Sequence, residues 1–209
     1  IAGDKIIKIA KISERISKKY KVPIAIAPPH HLIPLITKFK ITVLAQHVDD
    51  KKVGSTTGFM VPEIVKKSKI NGSIINHSEH RISEKEIISL VKRLQKLKLK
   101  TVLCVKNVNE AKKFAKLNPT FIAIEPPELI GTGRAISTEK PALITNAVKA
   151  VSSAKNSTKL LCGAGIVSGQ DVSKAKELGS KGILVASGIV KAKNWEKIIS
   201  EFCKGLKSQ

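Results

Sequence analysis

The feature that most constrains the fold of this 209-residue chain is a regular alternation of strand-like and helix-like segments. Seven short apolar runs, rich in Ile, Val, Leu and Ala, begin near positions 23, 42, 73, 101, 121, 159 and 182. An amphipathic helical pattern follows each run, and another, over residues 3–20, precedes them all. Ser83 and Glu86 predict a capping box for the long helix that runs to about Leu97. Strict alternation of this kind predicts an α/β fold with a parallel sheet, either open and doubly wound or closed into a barrel.

The composition agrees with a parallel sheet buried on both faces. Hydrophobic residues make up 42% of the chain but aromatic residues only 3%, so the core is aliphatic. The uninterrupted alternation indicates one domain over residues 1–209. We expect no membrane span, and we expect Cys104, Cys162 and Cys203 to be buried, reduced thiols, which favours the cytoplasm.

The formal net charge of +22 raises the alternative of a nucleic-acid-binding protein. The lysines are spread along every helical segment, however, and the aromatic side chains that stack on bases are almost absent. We therefore expect a generally basic surface, which would attract a dianionic substrate.

One segment, Phe121–Gly133 (FIAIEPPELIGTG), combines a strand with a reactive side chain and an unusual loop. Glu125 stands where the strand-like run stops, and a carboxylate there faces the cleft in which barrel enzymes hold their substrates. Two prolines stiffen the exit from the strand, while Gly131 and Gly133 leave the far end free to hinge. The pattern predicts a general base beneath a mobile lid, although the strand and carboxylate alone would favour a solvated glutamate.

Histidines follow two other strand-like runs, at His47 and His77. A single histidine after a strand is more often structural than catalytic. His77 differs because we expect a helix to begin at Ser78 and Glu79, and its positive end would keep the imidazole neutral. A neutral imidazole can donate a hydrogen bond to a carbonyl oxygen.

Two loops of small residues come late in the chain, CGAGIVSG from Cys162 and VASGIV from Val185. Each follows a strand-like run and precedes a helical one. Small residues let backbone N–H groups approach an anion, and in barrels these late turns commonly form a phosphate site. Gly-rich turns also serve as simple connections, so the pair of loops is more informative than either alone.

Six short motifs together resemble the triosephosphate isomerase family, in its short archaeal form, in both order and spacing. They are APP (27–29), AQHVDD (45–50), NHSEHR (76–81), IEPPELIGTG (124–133), LCGAGI (161–166) and LVASGIVKAKN (184–194). The resemblance implies a (β/α)8 TIM barrel that interconverts dihydroxyacetone phosphate and D-glyceraldehyde 3-phosphate through an enediolate. It also implies a role in glycolysis and gluconeogenesis, no cofactor or metal, and a homodimer or homotetramer.

The resemblance also implies roles for individual residues. His77 matches the electrophile and Glu125 the proton acceptor. The supporting positions of the family correspond to Glu79 and Arg81, and the lid over the substrate corresponds to Ile130 and Gly131. The substrate phosphate site corresponds to Gly165, Ala186 and Ser187, and the subunit interface corresponds to Thr57.

The main departure from the family pattern lies at the start of the chain. Family members open with a strand that carries an Asn and a Lys at the substrate, and Lys5 and Lys8 lie on the opening helix instead. We therefore expect a further strand ahead of Ile1, and we expect residues 1–209 alone, with seven strands of the barrel, to be poorly soluble and inactive. The alternative enzymes are another phosphate-binding barrel isomerase or an aldolase, but no Schiff-base lysine is well placed in the seven runs.

Overall fold

A computed structural model describes residues 3–207, in which six strands form one sheet. All neighbouring strands are parallel, the spatial order follows the order in the chain, and the sheet curls into a half-barrel. The strands are β1 (Ala25–Ile26), β2 (Thr42–Ala45), β3 (Gly72–Ile75), β4 (Lys100–Val105), β5 (Phe121–Ile124) and β6 (Lys159–Cys162). This arrangement confirms the predicted α/β class.

Helices stand between the strands and flank the sheet. They are α1 (Lys5–Tyr20), α2 (Ile33–Ile36), α3 (Pro62–Lys67), α4 (Glu84–Lys96), α5 (Val108–Ala115), α6 (Ile136–Glu139), α7 (Pro141–Ser152), α8 (Gly169–Glu177), α9 (Ser187–Val190) and α10 (Trp195–Lys207). Two short 3-10 turns, His30–Leu32 and Pro127–Leu129, follow β1 and β5. Among the described residues, no helix is long and apolar enough to cross a membrane.

The core has two parts because successive strand residues point to opposite faces of the sheet. Val102 and Cys104 of β4 belong to a small inner cluster, whereas Leu103 and Val105 belong to the large cluster beneath the helices. The other buried members of the inner cluster are Leu44, Ile74 and Ala123. All three cysteines are buried and free, as the sequence predicts.

The last predicted strand, near position 182, is wrong as a full strand. One isolated parallel bridge joins Ile183 to Cys162, supported by hydrogen bonds from Leu184 N–H to Cys162 O (2.8 Å) and from Cys162 N–H to Gly182 O (3.1 Å). The segment therefore runs along β6, but a single bridge is too short to count as a ladder. The described residues thus contain six strands and this bridged segment rather than seven strands.

Candidate active site

The predicted site residues lie on one edge of the sheet, where the parallel strands end. His77 is the second residue after β3, Glu125 follows β5 directly, and Gly165 lies in the loop after β6. Ala186 and Ser187 follow the bridged segment. Because all strands are parallel, their carboxyl ends bring these distant parts of the sequence together.

Glu125 is held by its strand neighbours and sealed from solvent. Its N–H donates to the carbonyl of Val105 (2.8 Å), and its side chain is 3% exposed. Oε2 has no hydrogen-bond partner among the described residues. Burial raises the pKa of this carboxyl, an effect that the nearby His77 partly opposes. A desolvated carboxylate with a free oxygen is a stronger base than an exposed one, so the interpretation of Glu125 as a solvated surface residue is wrong.

Gly163 forms the wall behind this carboxylate, a role that the sequence does not reveal. A Cβ at this position would lie 2.5 Å from Cγ of Glu125 and 3.0 Å from its Oε1. The N–H of Gly163 also donates to the carbonyl of Ile124 (3.0 Å), so the wall is tied to the end of β5. Gly163 therefore limits where the Glu125 side chain can lie.

His77 faces Glu125 across the end of the sheet. Its Nε2 lies 3.6 Å from Oε1 of Glu125, and its side chain is 30% exposed. Nδ1 accepts a hydrogen bond from the backbone N–H of Glu79 (3.3 Å). Since an accepting Nδ1 carries no proton, the proton of the neutral ring lies on Nε2, which points into the site.

The helix predicted to begin next to His77 is absent. No helix begins at Ser78 and Glu79, where the N–H of His80 instead closes a turn onto the carbonyl of His77 (2.9 Å). Helix α4 begins later, at Glu84, because Ser83 and Glu86 form the predicted capping box. A single backbone N–H of the turn, rather than a helix end, therefore orients the imidazole.

The two supporting residues occupy different surroundings. Nη1 of Arg81 donates to the carbonyls of Asn76 (2.8 Å) and Cys104 (3.3 Å), which ties the His77 turn to β4. The Glu79 side chain is 88% exposed, and its carboxylate lies 3.7 Å from Nδ1 of His77. Arg81 is thus a structural brace, while Glu79 contacts the imidazole mainly through its backbone.

The predicted lid consists of an anchored stem and an open tip. Leu129, in the 3-10 turn after Glu125, is 2% exposed and packs in the core. Gly131 and Gly133 have φ of +73° and +74°, and nothing lies within 4 Å of a Cβ built on either. Ion pairs at the two ends of the segment join Glu128 to Lys140 and Arg134 to Glu139.

The two late loops pack against each other and against the lid. Gly165 has φ of +69°, and a Cβ there would lie 1.8 Å from the carbonyl oxygen of Arg134. A Cβ on Gly188 would lie 2.4 Å from the carbonyl oxygen of Ile166. These close approaches require glycine, so the loops after β6 and after the bridged segment form one surface beside the lid.

Thr57 lies on an exposed loop between β2 and α3. Asp49 closes the loop, since its N–H donates to the carbonyl of Met60 (2.9 Å) and its Oδ2 accepts from the N–H of Met60 (2.6 Å). Val53 and Phe59 expose 61% and 45% of their surface on the same loop.

His47 is bound into the structure beside this loop. Its N–H donates to Nε2 of His30 (3.2 Å), and its Nε2 lies 3.1 Å from Oδ1 of Asp49. Its ring also stacks on His80, with the ring centroids 3.8 Å apart. These contacts agree with the expectation that a lone histidine after a strand is structural.

Comparison with known proteins gives a consistent result over nearly the whole chain. The family model for triosephosphate isomerase matches residues 3–202. The triosephosphate isomerase of Cenarchaeum symbiosum is 52% identical over 98% of this chain and 92% of its own length. Those of Methanocaldococcus jannaschii (41% identical; 97% and 93%) and Saccharolobus solfataricus (43% identical; 96% and 88%) are also similar. The chain therefore belongs to the triosephosphate isomerase family, the enzymes that interconvert dihydroxyacetone phosphate and D-glyceraldehyde 3-phosphate.

Proposed function

We propose that Glu125 and His77 perform the proton transfers of this isomerase reaction, with Glu125 as base and His77 as hydrogen-bond donor. The observation that carries the proposal is their geometry: Nε2 of His77 lies 3.6 Å from Oε1 of a buried Glu125 whose Oε2 has no partner among the described residues. A base and a donor on the same side of the cleft suit a substrate whose carbonyl and α-carbon are adjacent.

The first half of the reaction removes a proton from carbon. The free Oε2 of Glu125 accepts a proton from C1 of dihydroxyacetone phosphate, and the C–H electron pair becomes the C1–C2 double bond of the enediolate. Negative charge develops on O2, where Nε2–H of His77 donates a hydrogen bond. The desolvated carboxylate favours this step because its raised pKa narrows the gap to the carbon acid.

The second half returns the proton to the neighbouring carbon. Glu125 delivers it to C2. A proton moves from O1 to O2 by way of the His77 imidazole, and glyceraldehyde 3-phosphate results. The backbone at Gly165, Ala186 and Ser187 holds the phosphate, while Ile130 and Gly131 close over the intermediate. Closure matters because an enediolate phosphate open to water and free to rotate eliminates inorganic phosphate.

The protein acts as a homo-oligomer, dimer or tetramer, in which the loop carrying Thr57 contacts a second subunit. Exposed Val53 and Phe59 on this loop support that proposal, since burying apolar surface of this kind favours association. Three free, buried cysteines suit a reducing cytoplasm, where the reaction serves glycolysis and gluconeogenesis. We propose that residues 1–209 belong to one TIM-barrel domain.

An aldolase is the less favoured alternative. Lys100 and Lys159 are the first residues of β4 and β6, at the edge opposite the site. Lys106 follows β4 at the correct edge, but it is 55% exposed and its Nζ lies 3.5 Å from Oε1 of Glu110. A Schiff-base lysine needs an apolar pocket that favours the neutral amine, and the exposed, ion-paired side chain of Lys106 lies in none.

Substitution of Glu125 tests the proposal. Glu125→Gln in the full-length enzyme should lower kcat by several orders of magnitude and leave the affinity for a non-reacting phosphate analogue little changed, because the amide keeps the shape but accepts no proton. Glu177→Gln, at an exposed position on α8, is the matched control and should be fully active. If Glu125→Gln kept more than about a tenth of the parent rate, Glu125 would not be the base.

A further inference from the structure

Asn76, the residue between β3 and His77, has a backbone conformation that is unusual for its place in the fold. Its φ is +58°, and it is 5% exposed. Among residues 3–207 five other non-glycine residues have positive φ, and each lies in a turn that follows a helix and precedes a strand: Lys21, Lys69, Lys98, Asn118 and Lys155. Left-handed residues are routine at helix ends but not at the carboxyl end of a strand.

The side chain of Asn76 makes one hydrogen bond as donor and one as acceptor across the His77 turn. Its Nδ2 donates to the carbonyl of Cys104 in β4 (2.9 Å), and its Oδ1 accepts from the N–H of Ile82 (3.2 Å). Its own carbonyl accepts from Nη1 of Arg81 (2.8 Å). The residue therefore fixes the start of the turn, its end and the neighbouring strand at the same time.

These contacts connect His77 to Glu125 through β4. The Cys104 residue whose carbonyl Asn76 binds is completely buried, and the next residue of β4, Val105, accepts the hydrogen bond from the N–H of Glu125 (2.8 Å). The positive φ of Asn76 turns the chain away from the strand direction just before His77. The end of β4 thus fixes both the direction in which His77 leaves the sheet and the position of Glu125.

We propose that Asn76 is a positioning residue, which sets the distance between the imidazole of His77 and the carboxylate of Glu125 by its left-handed backbone and its two amide hydrogen bonds. The inference rests on the proposed roles of His77 and Glu125. Asn76 touches neither the substrate nor the reacting atoms. It acts through the turn that carries His77, and it explains why an amide stands at this strand end, since asparagine combines tolerance of positive φ with a donor and an acceptor.

The test is Asn76→Gly in the full-length enzyme, because glycine keeps the backbone conformation and removes only the amide. We expect kcat to fall about 100-fold, the cost of a displacement of about 1 Å in a catalytic group, with KM within about twofold of the parent value. The ¹⁵N NMR signals of the His77 ring should shift as well, because the hydrogen bond from Glu79 N–H to Nδ1 depends on the shape of the turn.

Asn118→Gly is the matched control. Asn118 also has positive φ (+54°), and its Oδ1 accepts from Oγ of Ser157 (3.1 Å), but it lies at the opposite edge of the sheet, before β5. This variant should keep the parent kcat and the parent His77 signals. A second test variant, Asn76→Asp, keeps the acceptor and loses the donor to Cys104, and it should also lower kcat.

The proposal is overturned if Asn76→Gly retains kcat within about threefold of the parent, or if Asn118→Gly loses as much. It is also overturned if both Asn76 variants fail to fold, since Asn76 would then determine the fold rather than the geometry of the site. Parallel measurement of Glu125→Gln separates the two failures. An inactive Glu125→Gln beside a fully active Asn76→Gly removes only this inference, whereas an active Glu125→Gln removes the proposed function.

Discussion

The close contact between Gly163 and Glu125 predicts that Gly163→Ala will damage catalysis by moving the carboxylate. The added methyl group would lie 2.5 Å from Cγ of Glu125, 3.2 Å from Cδ and 3.0 Å from Oε1. Carbon atoms in contact stand about 3.5–4.0 Å apart, so the side chain must move by about 1 Å or more. The backbone of Gly163 is outside the left-handed region, so the effect is steric rather than conformational.

A shift of about 1 Å in a reacting group costs about 100-fold in rate, equivalent to about 2.7 kcal/mol in the activation free energy. We therefore expect kcat of Gly163→Ala to fall by about two orders of magnitude in both directions of the reaction, measured with coupled dehydrogenase assays. Overpacking should also lower the free energy of unfolding by about 1–3 kcal/mol, which corresponds to about 2–4 °C in Tm for each kcal/mol.

Gly182→Ala provides the control for a methyl group added in the same region. Its Cβ would meet only Cδ2 of Leu161, at 3.0 Å, and the end of a leucine side chain can rotate away. This variant should keep the parent kcat. If Gly163→Ala turned over within about threefold of the parent, the conclusion that Gly163 places the carboxylate would be refuted.

Two further predictions concern the same site. Glu125→Gln should unfold at a higher temperature than the parent at pH 8, because an ionised carboxylate with a raised pKa destabilises the folded state. The difference in Tm between the variant and the parent should shrink as the pH falls through the raised pKa towards 4.5. A difference in Tm that stayed constant with pH would contradict the raised pKa of Glu125. Gly131→Val and Gly133→Val should each hinder lid closure, since a β-branched residue at φ of +73° or +74° is strained by about 1–2 kcal/mol. Each variant should therefore turn over slowly and release methylglyoxal with inorganic phosphate. Slow turnover with a normal product ratio would argue against the lid.

The sequence predicts the fold well where local signals agree with tertiary packing. Ser83 and Glu86 place the start of α4 at the correct residue because a capping box is a local hydrogen-bond pattern. The segment near 182 is apolar enough to suggest a strand, yet strand length depends on what pairs alongside it, which a local pattern does not contain. The prediction of a helix at Ser78 is wrong because the capping box that starts α4 lies five residues later, at Ser83.

The site is predicted in part, because strand ends are recognisable from sequence and contacts between them are not. Glu125 and His77 are proposed as site residues from their positions after apolar runs. Gly163 has the sequence context of an ordinary loop glycine, and its second role is visible only because a Cβ built there would lie 2.5 Å from Cγ of Glu125. In the sequence Asn76 is simply part of the NHSEHR motif. Its proposed positioning role depends on a positive φ and on a hydrogen bond to Cys104, 28 residues later in the chain.

The three buried cysteine thiols make it possible to measure local unfolding at three places in the protein. Burial raises the pKa of each, to about 11 for Cys162, so an alkylating reagent reacts only with molecules in which the thiol has become exposed. Cys104 lies in β4 beside Glu125, Cys162 ends β6, and Cys203 lies in α10. Their alkylation rates, divided by the rate of a free thiol, therefore give opening equilibria at three separate places. Cys104 reports on the active-site edge, so comparing its rate with and without a bound phosphate analogue would measure how strongly substrate binding holds that edge closed.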